Sequence, residues 1–190
     1  MKVIFDFDDT IFSANDFKKV LFSGLEKFGV SSTSLSDYYF ENRNNFTNLK
    51  NFYLSFVLDK KLNISSSQLD EAVSNLFVDL KRFLNQELIG IIRKLGAENC
   101  FIVSTGERDF QMSKINGCEI EELFGEIHVV GENKNEIIQR LMDRFKGEDF
   151  IFLDDRLEHL ERAKQLINND QKLHTIHYPN EIDKFKGMTK

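Results

Sequence analysis

Short apolar runs alternate with helix-like patterns over the second half of the chain. After Gly96 the apolar runs are CFIVSTG, EIHVVG, FIFLDD and LHTIHY. The segments between them carry apolar residues every three or four positions, as in residues 136–145. This alternation predicts an α/β fold, a parallel sheet flanked by helices and joined by right-handed crossovers. The N-terminal run KVIF adds one more strand to the same sheet.

The segment between the N-terminal run and Gly96 has a helical pattern throughout. Four apolar stripes cover residues 17–28, 49–57, 65–80 and 88–95. Gly29 and Gly96 follow the first and the last stripe, as expected of glycines that end helices. Ser65 and Gln68 have the spacing of a capping box at the start of the third stripe. From about residue 13 to residue 84 the pattern predicts no strand.

A single domain with an insertion explains this organisation. At 190 residues the chain is long enough for one α/β core and too short for two domains of typical size. We expect residues 1–12 and 85–190 to form the core, and residues 13–84 to form a helical cap inserted after the first strand. We expect the last residues, after Pro179, to be loosely held.

Composition and charge narrow the function classes. Hydrophobic residues make up 41% and charged residues 29% of the chain, which is typical of folded soluble proteins. The 25 basic and 31 acidic residues give a net charge of −6, which disfavours tight binding to nucleic acid. Cys100 and Cys118 form no metal-type pair, and no segment has the pattern of a leader or a membrane span. We therefore expect a reduced, cytoplasmic protein with no membrane partner.

Two carboxylates follow directly on the first predicted strand. Asp6 and Asp8 are two positions apart, so an extended chain projects both from one face at the carboxyl end of the strand. Open α/β sheets bind their ligands at that end. One carboxylate can attack a phosphorus atom while the second handles the proton of the leaving group. The alternative is an ordinary acidic strand end or helix cap.

Two weaker features follow the next strands. Ser104, Thr105 and Gly106 offer a hydroxyl and backbone amides of the kind that bind phosphate oxygens, although such a serine is more often a helix cap. Lys134 stands at the start of a predicted helix, where a cation is unfavourable to the helix dipole and therefore needs a partner. The alternative for Lys134 is a plain surface lysine.

A second acidic pair ends the strand FIFL. Asp154 and Asp155 are adjacent, and two carboxylates desolvated together repel each other unless a cation joins them. A pair of helix-capping aspartates is the alternative explanation. Because the chain has another acidic strand end at its first motif, we favour metal binding for this pair.

In order and spacing, DFDDT, STG, Lys134 and the aspartate pair resemble the motifs of the haloacid dehalogenase (HAD) superfamily, from residue 2 to about residue 178. The resemblance implies a Rossmann-like core and a phosphatase that forms an aspartyl-phosphate. It implies that Asp6 is the nucleophile and Asp8 the general acid and base. It further implies that Ser104 is a phosphate ligand and that Lys134 clamps the phosphate against the nucleophile.

The resemblance also implies a cofactor and a substrate class. Mg²⁺ would be bound by the carboxylate of Asp6, the backbone carbonyl of Asp8 and the pair Asp154 and Asp155, of which Asp155 aligns better with the family's usual ligand. A helical cap after the first motif is typical of relatives that act on small phosphorylated metabolites. Glu158 stands where the commonest family pattern has a further aspartate, which leaves the second metal-anchoring carboxylate open.

Three other functions stay open at this point. Haloacid dehalogenases share the family's fold, but they need no acid at the position of Asp8. A phosphatase of nucleic-acid ends is disfavoured by the acidic charge and the helical cap, and a non-catalytic module that binds Mg²⁺ and phosphate would not require Asp8. Candidates for binding the substrate are Thr105 and Gly106 of the second motif, Glu107 and Arg108 just after it, and in the cap Asn15, Tyr38, Tyr39 and Arg43.

Overall fold

A computed structural model describes residues 1–42, 48–166 and 172–189. These residues contain one five-stranded sheet in which every neighbouring pair of strands is parallel. The strands are β1 (Lys2–Phe5), β2 (Cys100–Thr105), β3 (Glu126–Val130), β4 (Phe150–Asp154) and β5 (Leu173–His177). Their order is β3-β2-β1-β4-β5, so β1 lies in the centre. The predicted α/β fold is confirmed.

Helices follow the strands as the alternation predicted. They are α1 (Ala14–Ser23), α2 (Ser32–Asn42), α3 (Leu49–Asp59), α4 (Ser66–Leu76), α5 (Gln86–Leu95), α6 (Arg108–Gly117), α7 (Asn135–Arg144), α8 (Leu157–Ala163) and α9 (Ile182–Met188). Helices α1 to α4 lie within residues 13–84, and the treatment of that segment as a separate cap stays a prediction. None of the helices in the described ranges combines the length and apolar character needed to cross a membrane.

The hydrophobic core lies on both faces of the sheet. Val3 and Phe5 of β1 belong to a cluster on one face that includes Ile92 of α5 and Phe185 of α9. Ile4 belongs to a second cluster, on the other face, that includes residues of α7 and α8. Successive residues of a strand point to opposite faces, so a central strand covered on both sides must be apolar at every position. This explains the continuous apolar runs of β1, β2 and β4.

The strand register places the first motif beside the end of β4. Phe5, the last residue of β1, is level with Ile102 of β2 and Leu153 of β4. The amide of Asp6 donates a hydrogen bond to the carbonyl of Leu153 at 2.8 Å. Asp6 therefore emerges at the carboxyl edge of the sheet, between two neighbouring strand ends.

The helical segment leaves and rejoins the core at a single place. The amide of Ser13 donates to the carbonyl of Phe83, and the amide of Asn85 donates to the carbonyl of Ile11, both at 2.8 Å. The two ends of the segment thus lie side by side a few residues after Asp8. Helices α1 to α4 are therefore anchored next to the carboxyl edge of the sheet.

The observed helices differ in two places from those that the apolar stripes predict. Helix α2 has no counterpart in the sequence pattern, because Leu35 is its one buried residue and a helix with one buried position has no stripe. The predicted stripe over residues 17–28 is divided, since α1 ends at Ser23 and a separate 3-10 turn covers Glu26–Phe28. Gly29 ends that turn in the left-handed conformation, with φ of +80°.

Two local predictions have opposite outcomes. The capping box is present: the hydroxyl of Ser65 accepts from the amide of Gln68, whose side chain in turn accepts from the amide of Ser65. The expectation that the chain is loosely held after Pro179 is wrong. Those residues form α9, and Phe185 is fully buried with its ring 5.9 Å from that of Phe5. Phe185, with Ile182 and Met188 packed against the same core cluster, holds this short helix against the sheet.

Candidate active site

Lys134 joins two carboxylates at the carboxyl edge of the sheet. Its Nζ lies 2.5 Å from Oδ1 of Asp6 and 2.6 Å from Oδ2 of Asp154. All three side chains are buried. Asp6 follows β1, Asp154 ends β4, and Lys134 immediately precedes α7 in the loop after β3. These two carboxylates are the partners that a lysine at a helix start was expected to need.

Burial makes the charges of this group unequal. It raises the pKa of Asp6 to about 7, a shift that Lys134 opposes and the charge of Asp154 reinforces. Burial also raises the pKa of Asp154, but the hydrogen bond from His159 and the charge of Lys134 outweigh it and bring that pKa below its usual range. The pKa of Asp155 is raised, first by burial and then by neighbouring carboxylates. The group has more acidic side chains than its lysine can neutralise.

The same edge offers the donors for a hard cation. One carboxylate oxygen each from Asp6, Asp154 and Asp155 lie within 4.8 Å of one another. Carboxylate oxygens are the ligands that Mg²⁺ prefers in proteins. The residue at the N-cap of α8 is Arg156, and it makes no side-chain capping bond, so neither aspartate serves as that cap. The donor set fits a divalent cation such as Mg²⁺.

Asp154 is held in place by helix α8 as well as by Lys134. Nδ1 of His159 lies 3.0 Å from Oδ2 and 3.2 Å from Oδ1 of Asp154. The amide of Arg156 donates to Oδ1 of Asp154 at 2.8 Å. These contacts occupy both oxygens of Asp154, whereas the half-buried Asp155 has no comparable set of side-chain donors among the described residues. Asp155 is therefore the freer of the two carboxylates.

Asp8 lies in different surroundings from Asp6. Its side chain is 31% exposed, against 7% for that of Asp6. Nζ of Lys114 lies 2.5 Å from its Oδ1, and Nε2 of Gln111 donates to its Oδ2 at 2.7 Å. Both partners belong to α6, the helix that follows the second motif. The two carboxylates of the first motif are thus bound by different lysines, one immediately before α7 and one within α6.

The second motif contributes a buried hydroxyl and one unexpected constraint. Ser104 is 1% exposed, and its Oγ accepts from Nε2 of Gln111 at 3.2 Å. The same nitrogen donates to the carbonyl of Thr105 at 2.8 Å. The amide of Gly106 donates to the carbonyl of Val130 at 2.9 Å, so it is not the free phosphate-binding amide that the sequence suggested. Gly106 has φ of +143°, and a Cβ there would lie 3.0 Å from the Gln111 side chain.

Glu107 and Arg108 are the next two candidate substrate-binding residues, and they lie at the start of α6. Glu107 is the N-cap of α6, and its carboxylate accepts from the amides of Asp109 at 3.1 Å and Phe110 at 2.7 Å. Arg108 is exposed at the first position of that helix. The capping bonds explain Glu107 without a ligand, while substrate binding by Arg108 stays a prediction.

The candidate substrate-binding residues of the helical segment lie in different surroundings. Asn15 is exposed, and its amide donates to the side chain of Asp9 at 3.1 Å. Tyr38 and Tyr39 pack against phenylalanine rings of α1 and α3. Arg43 lies outside the described residues. The tyrosine contacts are those of ordinary helix packing.

Three side chains that contact the candidate site residues were missed from the sequence: Gln111, Lys114 and His159. The first two occupy inward positions of α6, together with the buried Ile115 and Cys118. Polar residues that recur at helical spacing on the inward face of a helix indicate buried polar contacts. A search of the sequence for this periodicity could have found Gln111 and Lys114. His159 had a weaker signal, since it lies one turn after the acidic pair.

Comparison of the sequence with protein-family models and with curated proteins gives no match. Solved structures do match. A HAD-like hydrolase from Burkholderia xenovorans has a TM-score of 0.68 and 18% identity over 96% of this chain and 89% of that one. A HAD hydrolase from Bacillus subtilis, bound to magnesium, has a TM-score of 0.60 and 14% identity over 100% and 98%. A beta-phosphoglucomutase from Thermotoga maritima has a TM-score of 0.60 and 12% identity over 98% and 99%.

These similarities define the fold. The chain has the α/β fold of the HAD-like hydrolases, with the sheet and the helical segment matched over almost its whole length. Haloacid dehalogenases share the same fold, among them the L-2-haloacid dehalogenase from Xanthobacter autotrophicus. At such low identities the architecture is common to proteins of different activity, so the activity has to be argued from the site.

Proposed function

We propose that this protein is a Mg²⁺-dependent phosphatase that hydrolyses a small phosphomonoester through an aspartyl-phosphate on Asp6. The observation that carries the proposal is the different setting of the two carboxylates after β1. Asp6 is buried against Lys134, whereas Asp8 is 31% exposed and hydrogen-bonded through both oxygens. A nucleophile has to be fixed in place, and an acid–base group has to reach both the leaving group and water.

The two carboxylates divide the reaction between them. In the first step an oxygen of Asp6 attacks phosphorus, the bond from phosphorus to the leaving oxygen breaks, and that oxygen takes a proton from Asp8. In the second step water attacks the phosphorus of the aspartyl-phosphate and gives a proton to Asp8. Phosphate leaves and Asp6 is regenerated, with Asp8 again protonated for the next cycle.

Lys134 and Ser104 serve the phosphate group. The ammonium of Lys134 lies 2.5 Å from Asp6, where it offsets the negative charges that the nucleophile and the phosphoryl group bring together. The hydroxyl of Ser104 is buried at the end of β2, on the side of Asp8, and is free to donate to a phosphate oxygen. Thr105 and Arg108 are the further candidates for contacts to the substrate.

Asp6, Asp155 and Asp154 would hold the cation, together with the backbone carbonyl of Asp8. Bound Mg²⁺ supplies charge that draws the anionic phosphate towards a carboxylate nucleophile. The fit of three carboxylate oxygens within 4.8 Å supports this assignment, and so does the magnesium bound to the structural neighbour from Bacillus subtilis. Asp155 is the preferred ligand, because Asp154 is already bonded to Lys134 and His159.

The position of the helical segment favours a small substrate. That segment leaves and rejoins the core just after Asp8, so a cap built from residues 13–84 would close over the site. A closed cap leaves room for a small metabolite more readily than for a macromolecule.

Dehalogenation of a haloacid is the second candidate, because dehalogenases have the same fold. Halide needs no proton to leave carbon, so that reaction gives no role to the hydrogen-bonded Asp8. Release of chloride from 2-chloropropionate in EDTA would support dehalogenation. A phosphatase of nucleic-acid ends and a non-catalytic module for Mg²⁺ and phosphate are the remaining alternatives.

The test is a phosphatase screen over phosphorylated metabolites with Mg²⁺ and with EDTA. We expect phosphate release that requires Mg²⁺ and is lost in Asp6→Asn. The panel includes a 3′-phosphorylated oligonucleotide and the matching mononucleotide, and faster turnover of the oligonucleotide would favour the nucleic-acid alternative. Binding of phosphate and Mg²⁺ without any turnover would leave only the non-catalytic module.

A further inference from the structure

One helix holds both carboxylate oxygens of Asp8. Nζ of Lys114 lies 2.5 Å from Oδ1, and Nε2 of Gln111 lies 2.7 Å from Oδ2. Lys114 and Gln111 are three residues apart on α6, on the same side of the helix. Each is 3% exposed. Because hydrogen bonds are directional, one contact on each oxygen fixes the plane of the carboxylate, whereas a single contact would let it rotate.

Aromatic rings surround the ammonium of Lys114. The rings of Phe7, Phe12 and Phe110 have their centroids 5.6, 5.5 and 5.1 Å from its Nζ. Ring faces attract a cation, but they do not replace the hydrogen bonds of its water shell. Among the described residues Lys114 forms an ion pair with Asp8 alone. Asp8 is therefore the one carboxylate, among the described residues, that pairs with the Lys114 ammonium.

Gln111 links Asp8 to the second motif. Its Nε2 donates to Asp8, to Oγ of Ser104 at 3.2 Å and to the carbonyl of Thr105 at 2.8 Å. The glycine at position 106 lets the Gln111 side chain come this close, since a Cβ there would lie 3.0 Å from Nε2. The acid–base group and the buried serine are thus held by one amide group.

Lys2 is a second enclosed lysine, and its ion pair lies away from the site, with Nζ 3.4 Å from Oε1 of Glu148. It is 7% exposed and lies 4.6 Å from the centroid of the Phe145 ring. Its Nζ donates to the carbonyl of Glu98 at 3.1 Å and to Oδ1 of Asn99 at 2.9 Å. Lys2 begins β1, at the end of the strand opposite to Asp6. It is a matched control for Lys114, with similar burial and a similar aromatic contact away from the site.

We propose that Lys114 and Gln111 are positioning residues that orient the carboxyl group of Asp8 for both proton transfers. The proposal rests on the proposed function, because it takes Asp8 as the acid–base group. Lys114 fixes one oxygen, and Gln111 fixes the other in register with Ser104. Neither residue is assigned a contact with the substrate, so both act through Asp8.

The first test compares Lys114→Met with Lys2→Met, each in the full chain with Mg²⁺. Methionine keeps the apolar stem within the aromatic rings and removes the charge. We expect kcat of Lys114→Met to fall roughly 10- to 100-fold, the loss typical of a displaced catalytic group, with little change in KM. Lys2→Met should keep the kcat of the wild type. A raised KM with unchanged kcat would make Lys114 a substrate-binding residue and overturn the proposal, as would no change at all.

The second test asks whether Lys114 acts through Asp8. In the Asp8→Asn background, adding Lys114→Met should lower kcat by less than about twofold, because the group it positions is already missing. A further loss as large as in the wild-type background would mean that Lys114 acts independently of Asp8, which the proposal excludes. Gln111→Met is the milder variant and should show a smaller loss with the same dependence on Asp8.

Thermal melts give a readout that needs no substrate. Asp8→Asn should lower the melting temperature, because it leaves the Lys114 ammonium buried without its carboxylate. Adding Lys114→Met to Asp8→Asn should raise the melting temperature again. If the two substitutions lower it additively, the pair is not coupled and the proposal is wrong. A wild type that hydrolyses no phosphomonoester would refute the proposed function instead, and the melts would still decide whether Lys114 holds Asp8.

Discussion

Two groups of charged side chains lie on either side of the end of β1, and their charge balance differs. The β4 cluster consists of Asp6, Lys134, Asp154 and Asp155. The β2 cluster consists of Asp8, Lys114, Gln111 and Ser104. In the β4 cluster one lysine pairs with both Asp6 and Asp154, and Asp155 lies close to them, whereas in the β2 cluster one carboxylate has a lysine to itself. The β4 cluster therefore carries surplus acidic groups that a further cation would offset, whereas the β2 cluster has one lysine for its one carboxylate.

This difference matches a division of labour. Under the proposed function, surplus negative charge at the β4 cluster would attract Mg²⁺ and, through it, an anionic phosphate. The balanced β2 cluster keeps one carboxylate oriented and partly open to solvent, as proton transfer requires. Asp6 and Asp8 are two residues apart in sequence, yet each is governed by its own cluster. Substitutions in one cluster should therefore affect the metal function and substitutions in the other the proton function.

The largest effect should come from Asp6, the member of the β4 cluster with the proposed covalent role. Asp6→Asn should lower kcat on the order of 10⁴-fold or more, because an amide does not attack phosphorus. Circular dichroism should show an unchanged fold, since the amide is nearly isosteric. Asp183→Asn, at a side chain that is 97% exposed on α9, serves as a control and should keep full activity. Near wild-type turnover of folded Asp6→Asn would remove it from this role.

Asp8→Asn should have a smaller and different effect. The aspartyl-phosphate should still form from 4-nitrophenyl phosphate, whose leaving group departs without a proton, but its hydrolysis should slow by roughly 10²- to 10⁴-fold. Rapid-quench measurements with labelled substrate should show the phosphoenzyme accumulating. If the intermediate breaks down at the same rate in Asp8→Asn and in the wild type, Asp8 is not the base and the two clusters do not divide the chemistry.

The β4 cluster could largely be predicted from the sequence. Asp6, Lys134 and Asp154 follow or end strands of a parallel sheet, or lie in the loop after one, and such strands deliver their carboxyl ends to one edge whatever the details of packing. The alternation of apolar runs and helices predicts the parallel sheet and its shared edge, whereas the order that puts β1 beside β4 comes from the structure. The hydrophobic pattern therefore predicts the edge at which these residues meet, but not which strands are neighbours.

Only part of the β2 cluster could be predicted. Asp8 and Ser104 lie at strand ends, but the contact of Lys114 with Asp8 depends on the rotation of α6 about its axis. That rotation is a matter of tertiary packing, in which Nζ of Lys114 lies near the rings of Phe7 and Phe12. Helix α2 was missed for a similar reason. Its aromatic contacts, such as that of Tyr39 with Phe22, come from other helices, and a local pattern does not contain them.

The surplus charge of the β4 cluster should make stability depend on pH when metal is absent. Burial raises the pKa of Asp6 from 3.8 to about 7, so the folded state binds a proton that the unfolded state has lost between these values. Stability that is present below about pH 4 should therefore decline as the pH rises towards 7, by up to about 4 kcal/mol from this residue.

Asp6→Asn should remove this part of the dependence. In EDTA its melting temperature should fall less than that of the wild type between pH 4.5 and pH 7.5, and the two proteins should be most alike at low pH, where Asp6 is uncharged. A difference between them that is the same at every pH would show that Asp6 keeps an ordinary pKa in the fold.

The smallest expected effect is the change in stability when Mg²⁺ is added. It should depend on the β4 cluster and not on the side chain of Asp8. If the β4 cluster binds Mg²⁺, adding the ion should stabilise the folded state by about 2.7 kcal/mol at one hundred times the dissociation constant. Asp155→Ala should lose this shift in melting temperature. Asp8→Asn should keep the shift, because only the backbone carbonyl of Asp8 is proposed to bind the Mg²⁺ ion. In EDTA, Asp155→Ala should melt at or above the wild type, since one repelling carboxylate is gone. Melts of the three proteins with EDTA and with Mg²⁺ check this. A response that survives Asp155→Ala but disappears in Asp8→Asn would reverse the assignment and place the cation at the β2 cluster.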